Sequence, residues 1–267
     1  MRILAILLLS FVALPVQSHE FWIEPEAYQI DLDGRISGEL TNGQEFAGSN
    51  LAFLPQRFTR FTVAAGLRQG NVENRLGARP ALDIAPLAEG LNVISYQSQM
   101  ATIGYAQWAK FVTFAEHKDF ADYEAIHDAR GLPRTGFTEG YWRFAKTLVG
   151  VGNALGRDFR TGLATEFVAL DNPYTDDLSN GFRVRLYYLD DLRPDAQVEL
   201  FEKAPDGTVE ITLHRTDPDG IATLPVKAGH SYLVDAVVLR EPNPDLIGDA
   251  DIQWETLWAA LTFGVPE

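Results

Sequence analysis

Short apolar runs that alternate with polar residues, broken at close intervals by turn formers, constrain this chain more than any other feature. Phe182, Val184, Leu186 and Tyr188 occupy alternate positions, as do Val198 and Leu200 and then Val209, Ile211 and Leu213, with Pro205-Asp206-Gly207 and Pro218-Asp219-Gly220 set between runs. A period of two puts each set on one face of a strand, and Pro-Asp-Gly returns the chain antiparallel to itself. Residues 161–267 therefore read as an immunoglobulin-like β-sandwich domain, with late strands over Ser231–Leu239 and Trp254–Gly264.

Residues 19–118 carry a looser version of the same pattern and read as an N-terminal β-sandwich domain. Tyr28, Ile30 and Leu32 alternate ahead of an Asp31–Gly34 turn, and Ile36, Gly38 and Leu40 alternate ahead of Asn42-Gly43. Further strands are expected over Leu51–Leu54, Arg57–Val63, Leu91–Gln97 and Trp108–Phe114. Between the two β regions, residues 119–160 read as a small helical insert. One helix is expected from Phe120 to Arg130, stopped by Gly131 and Pro133, and a second from Glu139 to Val149, where Tyr141, Phe144, Ala145 and Leu148 recur at helical spacing. The run Gly150–Gly156 has the look of a dinucleotide loop, but on this reading it follows a helix and its last glycine comes one place late. The fold class expected is mostly β: two immunoglobulin-like antiparallel β-sandwich regions with a small helical insert between them.

The first 18 residues have the make-up of an export signal. Arg2 opens an apolar run from Ile3 to Leu14, and Val16 and Ser18 supply small residues at the positions a signal peptidase reads. Cleavage after Ser18 gives an exported protein whose mature chain begins at His19. The chain contains no cysteine, so neither a disulfide nor a thiolate ligand is available. Loss of Arg2 takes the formal charge from −15 to −16. That balance repels nucleic acid and anionic membrane surfaces and is hospitable to cations. No later apolar run is long enough to span a bilayer.

A free N-terminal histidine is a chelator, because its α-amine and ring Nδ1 close on one metal ion and imidazole suits copper, nickel and zinc. Phe21, Trp22 and Ile23 are apolar enough to dock the terminus. Further metal ligands are sought at His117, beside Glu116 and Asp119, and at His127, near Glu124 and Asp128, whereas His214 and His230 read as surface residues. Asp31–Gly34 and Asp217–Gly220 lack the spaced acceptors of a calcium loop and read as turns, and Trp254 and Trp258 read as packing residues. No cysteine nucleophile, Gly-x-Ser-x-Gly elbow, His-Glu-x-x-His helix or phosphate loop is present.

The leader followed by His19-Glu20-Phe21-Trp22, the Tyr141–Lys146 run, Asn172-Pro173, Thr216–Gly220 and a closing Trp254, Trp258 and Leu261-Thr262-Phe263 together resemble the domain-of-unknown-function 4198 family. That family is described as similar to periplasmic components of cobalt and nickel uptake systems. The resemblance implies a periplasmic β-sandwich protein that handles a transition-metal ion (nickel, cobalt or copper), with membrane transporter or receptor components as its partners. Of the site residues it carries over His19 alone. The reading is a non-enzymatic metal carrier for uptake or delivery. Its rivals are a metal-free recognition or scaffold module for a protein or glycan, and a copper oxygenase with an N-terminal histidine brace.

Overall fold

The computed structural model describes residues 19–267, and the expected leader lies outside the described residues. The fold class is as expected, mostly β. Its centre is a ten-stranded sheet whose main path runs, in spatial order, through Val209–Arg215, Gln197–Lys203, Ser231–Arg240, Trp254–Gly264, Phe137–Val151, Gly90–Ser98, Phe58–Ala65 and Arg68–Asn71. Strands from both halves of the sequence thus share one sheet. They join where Phe137–Val151 lies parallel to Trp254–Gly264, with Glu139 opposite Trp254 and Thr147 opposite Thr262.

Two four-stranded sheets cover the large one. On one face lies the sheet built from Glu20–Pro25, Ile36–Gln44, Ala47–Leu51 and Leu82–Ile84, and its Trp22, Ile23, Phe46 and Leu82 pack with Phe61, Val149, Phe201, Leu233 and Ala260. On the other lies the sheet of Thr165–Ala169, Phe182–Tyr188, Asp191–Leu192 and Ile221–Leu224, whose Phe182, Val184 and Leu186 pack with Leu148, Leu200, Val234, Leu261 and Phe263. Along the large sheet alternate residues feed opposite cores, as Leu233 and Val234 do, so the apolar–polar alternation survives only in covering strands such as Phe182–Tyr188.

The expected helix at Glu139–Val149 is a strand. Phe137–Val151 is the inner strand of a sheet covered on both sides, so nearly every residue is buried and no period of two remains. The three- and four-residue spacings follow from that uniform burial, and its Thr, Tyr, Trp, Phe and Val content is what strands prefer. Gly150–Gly156 accordingly begins on the last two residues of a strand, and no helix succeeds it directly. The opposite exchange occurs at Trp108–His117, expected as a strand and folded as a helix that buries Phe111, Phe114 and Ala115, a helical spacing masked by its β-branched neighbours. The other expected helix forms over Tyr123–Ala129.

The hairpin expected at Asn42-Gly43 turns three residues later, at Glu45-Phe46, both in left-handed conformation. Phe46 tolerates this because its ring is buried edge-on against Trp22, 5.5 Å away. Gly43 and Gly48 face each other across the hairpin, where a β-carbon on Gly43 would stand 2.0 Å from the Ala47 carbonyl oxygen.

Helix Trp108–His117 covers the same face of the large sheet as the first strand, farther along. Its Phe111 and Phe114 pack with Tyr105, Phe137, Val237, Trp254 and Trp258. A seam is left between these two coverings.

Candidate functional site

The seam is filled by charge. On the large sheet Glu199 sits directly opposite Asp235, and Asp235 opposite Ala260, whose small side chain leaves space above it. Two like charges in register repel. The cation that holds them is Lys118, the residue following helix Trp108–His117: its Nζ lies 2.9 Å from Glu199 Oε2, 3.1 Å from Asp235 Oδ2 and 3.1 Å from Glu20 Oε1. Glu20 is the first residue of the strand Glu20–Pro25, paired with Gly43. One ammonium therefore ties the first strand, the helix and two central strands. All four side chains are buried.

The chain supports each member locally. Phe21, Trp22 and Ile23 are all in the core, so the first strand is docked as the sequence suggests. The Lys118 ammonium lies 4.9 Å from the centroid of the Trp258 ring, and the Arg143 guanidinium 4.1 Å from the same centroid and 4.9 Å from that of Tyr141. Arg143 is the register partner of Trp258 and lies two residues from Ala145, which faces Ala260. Below Trp258 the polar chain continues, since its Nε1 donates to Thr256 Oγ1 (3.0 Å), Thr256 donates to Glu139, and Tyr105 donates to the other Glu139 oxygen at 2.8 Å.

The site is incompletely satisfied. Asp235 Oδ1 and the Nε and Nη1 of Arg143 are buried without a partner among the described residues. Burial, with Glu199 and Glu20 nearby, pushes the Asp235 carboxyl up to about 7 against the pull of Lys118. Burial opposes ionisation of Glu199 as well, yet the hydrogen bond with His117 and the charge of Lys118 hold it below the usual range. Lys118 loses solvation but gains three carboxylates, and its pKa is raised. Burial lowers that of Arg143, and Asp235, Glu20 and Glu139 oppose the change.

His117 forms the solvent side of the seam. It is half exposed, its Nε2 is 3.4 Å from Glu199 Oε1, and this hydrogen bond raises its pKa above that of a free imidazole. His19 is exposed and adjoins Glu20. The 3.1 Å contact between Lys118 and Glu20 thus joins the two segments that carry His19 and His117. Glu20, Glu199 and Asp235 present carboxylate oxygens all within 4.8 Å of one another, a spacing that could hold a cation, and Lys118 lies among them.

His127, sought as a further ligand, is a core residue whose ring is already engaged. Its Nδ1 accepts from Trp254 Nε1 at 3.0 Å, its Nε2 donates to the Pro133 carbonyl at 3.2 Å, and burial lowers its pKa. Both ring nitrogens are thereby used. His214 lies on the strand Val209–Arg215 within 2.9 Å of Thr212, and His230 faces Glu202, both partly buried. Asp217–Gly220 is a closed turn, in which Asp217 accepts from the backbone of Asp219 and Ile221, and Asp31–Gly34 is closed by Gly34 donating to the Asp31 carbonyl.

Glu20, Lys118, Arg143, Glu199 and Asp235 escaped the sequence reading. The available signal was a lone ionisable residue inside an apolar run, as in Tyr232-Leu233-Val234-Asp235-Ala236-Val237-Val238, where a charge must be buried with its strand.

A family model described as "Domain of unknown function (DUF4198)" matches residues 16–240. No curated protein matches the chain. Among solved structures, one described as "Crystal structure of tetra-tandem repeat in extending region of large adhesion protein" aligns at 12% identity over 92% of this chain and 49% of its own length, with a TM-score of 0.20. The chain thus spans about half of that solved chain.

Proposed function

We propose that this chain, which belongs to the DUF4198 family, is a periplasmic carrier that binds a transition-metal ion at the mouth of the seam, through His19 of the cleaved protein together with His117. One observation carries the reading: Lys118 joins the two histidine-bearing segments over Glu20, Glu199 and Asp235. The donor set fits. Imidazole nitrogens suit nickel, cobalt and copper, and a carboxylate against the imidazole of His117 is the usual outer partner of a ligating histidine. The three carboxylates already hold the Lys118 ammonium, so the ion is assigned to the solvent side, with the acids beneath supplying negative potential. In this role Lys118 is an internal counter-cation that fixes the mouth. Non-enzymatic uptake or delivery, serving a membrane transporter or receptor, is the activity proposed.

The test combines intact-mass and elemental analysis of the exported protein with nickel(II) and copper(II) titration by calorimetry. Expected are an N-terminus at His19, one ion per chain, and loss of binding when His19 becomes Ala or one residue is added before it. His117→Ala is expected to weaken binding about tenfold or more, the scale of losing one ligand or its support. Titrations unchanged in all three variants would falsify the reading.

A further inference from the structure

The opposite face of the large sheet carries a second, differently built cavity. Trp142 and Phe144, on the side of their strand away from Arg143, form with Leu257 the apolar floor of a cleft of about 370 Å³. That volume falls in the range of small-molecule sites and has room for about a dozen water-sized groups. Leu189 and Leu246, on a turn and on the short helix Pro244–Ile247, stand at the rim, 49% and 50% exposed. Apolar side chains left in solvent around a concavity are what a ligand would cover.

The charged walls are pre-set. Glu255, fully buried, accepts from Trp142 Nε1 at 2.7 Å and from Arg240 Nε at 2.8 Å, so one carboxylate fixes both an aromatic face and a guanidinium. Arg240 is held further by Nη1 donating to the Tyr188 hydroxyl at 2.9 Å, and Arg160 by donating to Glu166 Oε2 at 3.3 Å and to the Leu189 carbonyl at 2.7 Å. Each keeps one terminal nitrogen, Nη2 of Arg240 and Nη1 of Arg160, without a partner among the described residues. A third arginine, Arg60, donates to the Thr161 carbonyl beside the lining residue Gly162, and its buried Nε and Nη2 are unpartnered. The nearby carboxylates Glu255 and Glu166 are spent on these contacts, and the acid in the lining is Asp190, fully exposed at the rim 3.8 Å from Arg160 Nη2.

We propose that this cleft binds a small monoanion with a flat apolar body, of the aryl-carboxylate class, its ring against Trp142 and Phe144 and its carboxylate toward Arg160 and Arg240. The proposal is independent of metal at the seam.

The probe is 2-naphthoate, titrated into the full mature protein by calorimetry and by tryptophan fluorescence, beside its neutral alcohol and its cationic amine analogue. Saturable one-to-one binding of the acid is expected, with both analogues about tenfold or more weaker, the worth of one charge-assisted hydrogen bond. Leu246→Trp fills the rim from an exposed position, and it should abolish binding at unchanged melting temperature. Arg160→Gln should weaken the acid about tenfold more than it weakens the alcohol, because the alcohol makes no charged contact and both share whatever the loss of the Leu189 and Glu166 contacts does to the rim. Equal binding of acid, alcohol and amine, persistence of binding in both variants, or no binding of the acid to the folded wild-type protein would overturn the proposal.

Discussion

Two lysines are buried among the described residues, on opposite sides of the same sheet, and they are dressed very differently. Lys146, on Phe137–Val151, meets Asp158 at 2.7 Å, Glu166 at 3.1 Å and the carbonyls of Phe159 and Phe167 at 3.0 Å each. Its acids are satisfied in turn. Glu166 accepts from the backbone of Thr161, Gly162 and Leu163, and Asp158 from that of Phe159 and Ala169. Lys118 hydrogen-bonds to carboxylates alone, three of them, with an Asp235 oxygen and two Arg143 nitrogens open beside it among the described residues. A buried charge saturated by backbone is a clip that pins a loop to a strand. One left unsaturated at a seam, with a histidine in solvent beside it, retains capacity to respond to a ligand.

The sharpest way to break the comparison is to remove each cation. Lys146→Met strands two acids with fully buried side chains whose other partners are mostly fixed backbone groups, and should cost about 3–5 kcal/mol of unfolding free energy in a urea titration. Lys118→Met should cost less, about 1–3 kcal/mol, because Asp235 can take up a proton and Arg143 stands close. Equal losses would show that the open groups around Lys118 offer no relief.

A smaller effect separates the sites by pH. Native Asp235 titrates at about 7 and the unfolded side chain at its ordinary 3.8, so between these values the native protein holds a proton that the unfolded chain has released. The contribution of this group to stability therefore falls as pH rises from about 4 through about 7, and is flat above. In Asp235→Asn that dependence is gone. The difference in unfolding free energy between wild type and variant should slope downward across the window, and parallel curves would show that Asp235 is ionised throughout.

The two sites were unequally legible in the sequence. Turns at Pro205–Gly207 and Pro218–Gly220, the one-faced strand Phe182–Tyr188 and the docking of Phe21–Ile23 could be read directly, because a strand with one face in solvent keeps its alternation. Phe137–Val151 could not, since burial on two faces erases the period that distinguishes strand from helix. The misreading hid the chemistry too. In a helix Arg143 and Lys146 point to solvent, whereas in a central strand they are forced into opposite cores and must each find acids. His127 shows the converse, with acidic neighbours in sequence yet an indole and a carbonyl as its actual partners. Glu20, Glu199 and Asp235 are far apart in the chain, and only the pairing of Glu199 with Asp235 and the docking of the first strand bring them to one ammonium.

The smallest expected effect concerns Arg143, and it decides what the open groups are for. If they were merely structural, Arg143 would contribute to stability as Lys146 does. Its faces rest on Trp258 and Tyr141, but its Nε and Nη1 donate to nothing among the described residues, and burial already penalises its charge. Arg143→Met keeps length and an apolar stem over the tryptophan while removing unpaired donors, so the loss of a cation–π contact of about 1–2 kcal/mol is offset by relief of desolvation. Unfolding free energy should change by less than about 1 kcal/mol in either direction. The metal affinity proposed for the seam should rise, since a buried positive charge beside Glu20 and Asp235 is removed and the negative potential at the mouth deepens. A large loss of stability with unchanged metal titration would place Arg143 with the saturated clip around Lys146 and dissolve the distinction between the two lysines.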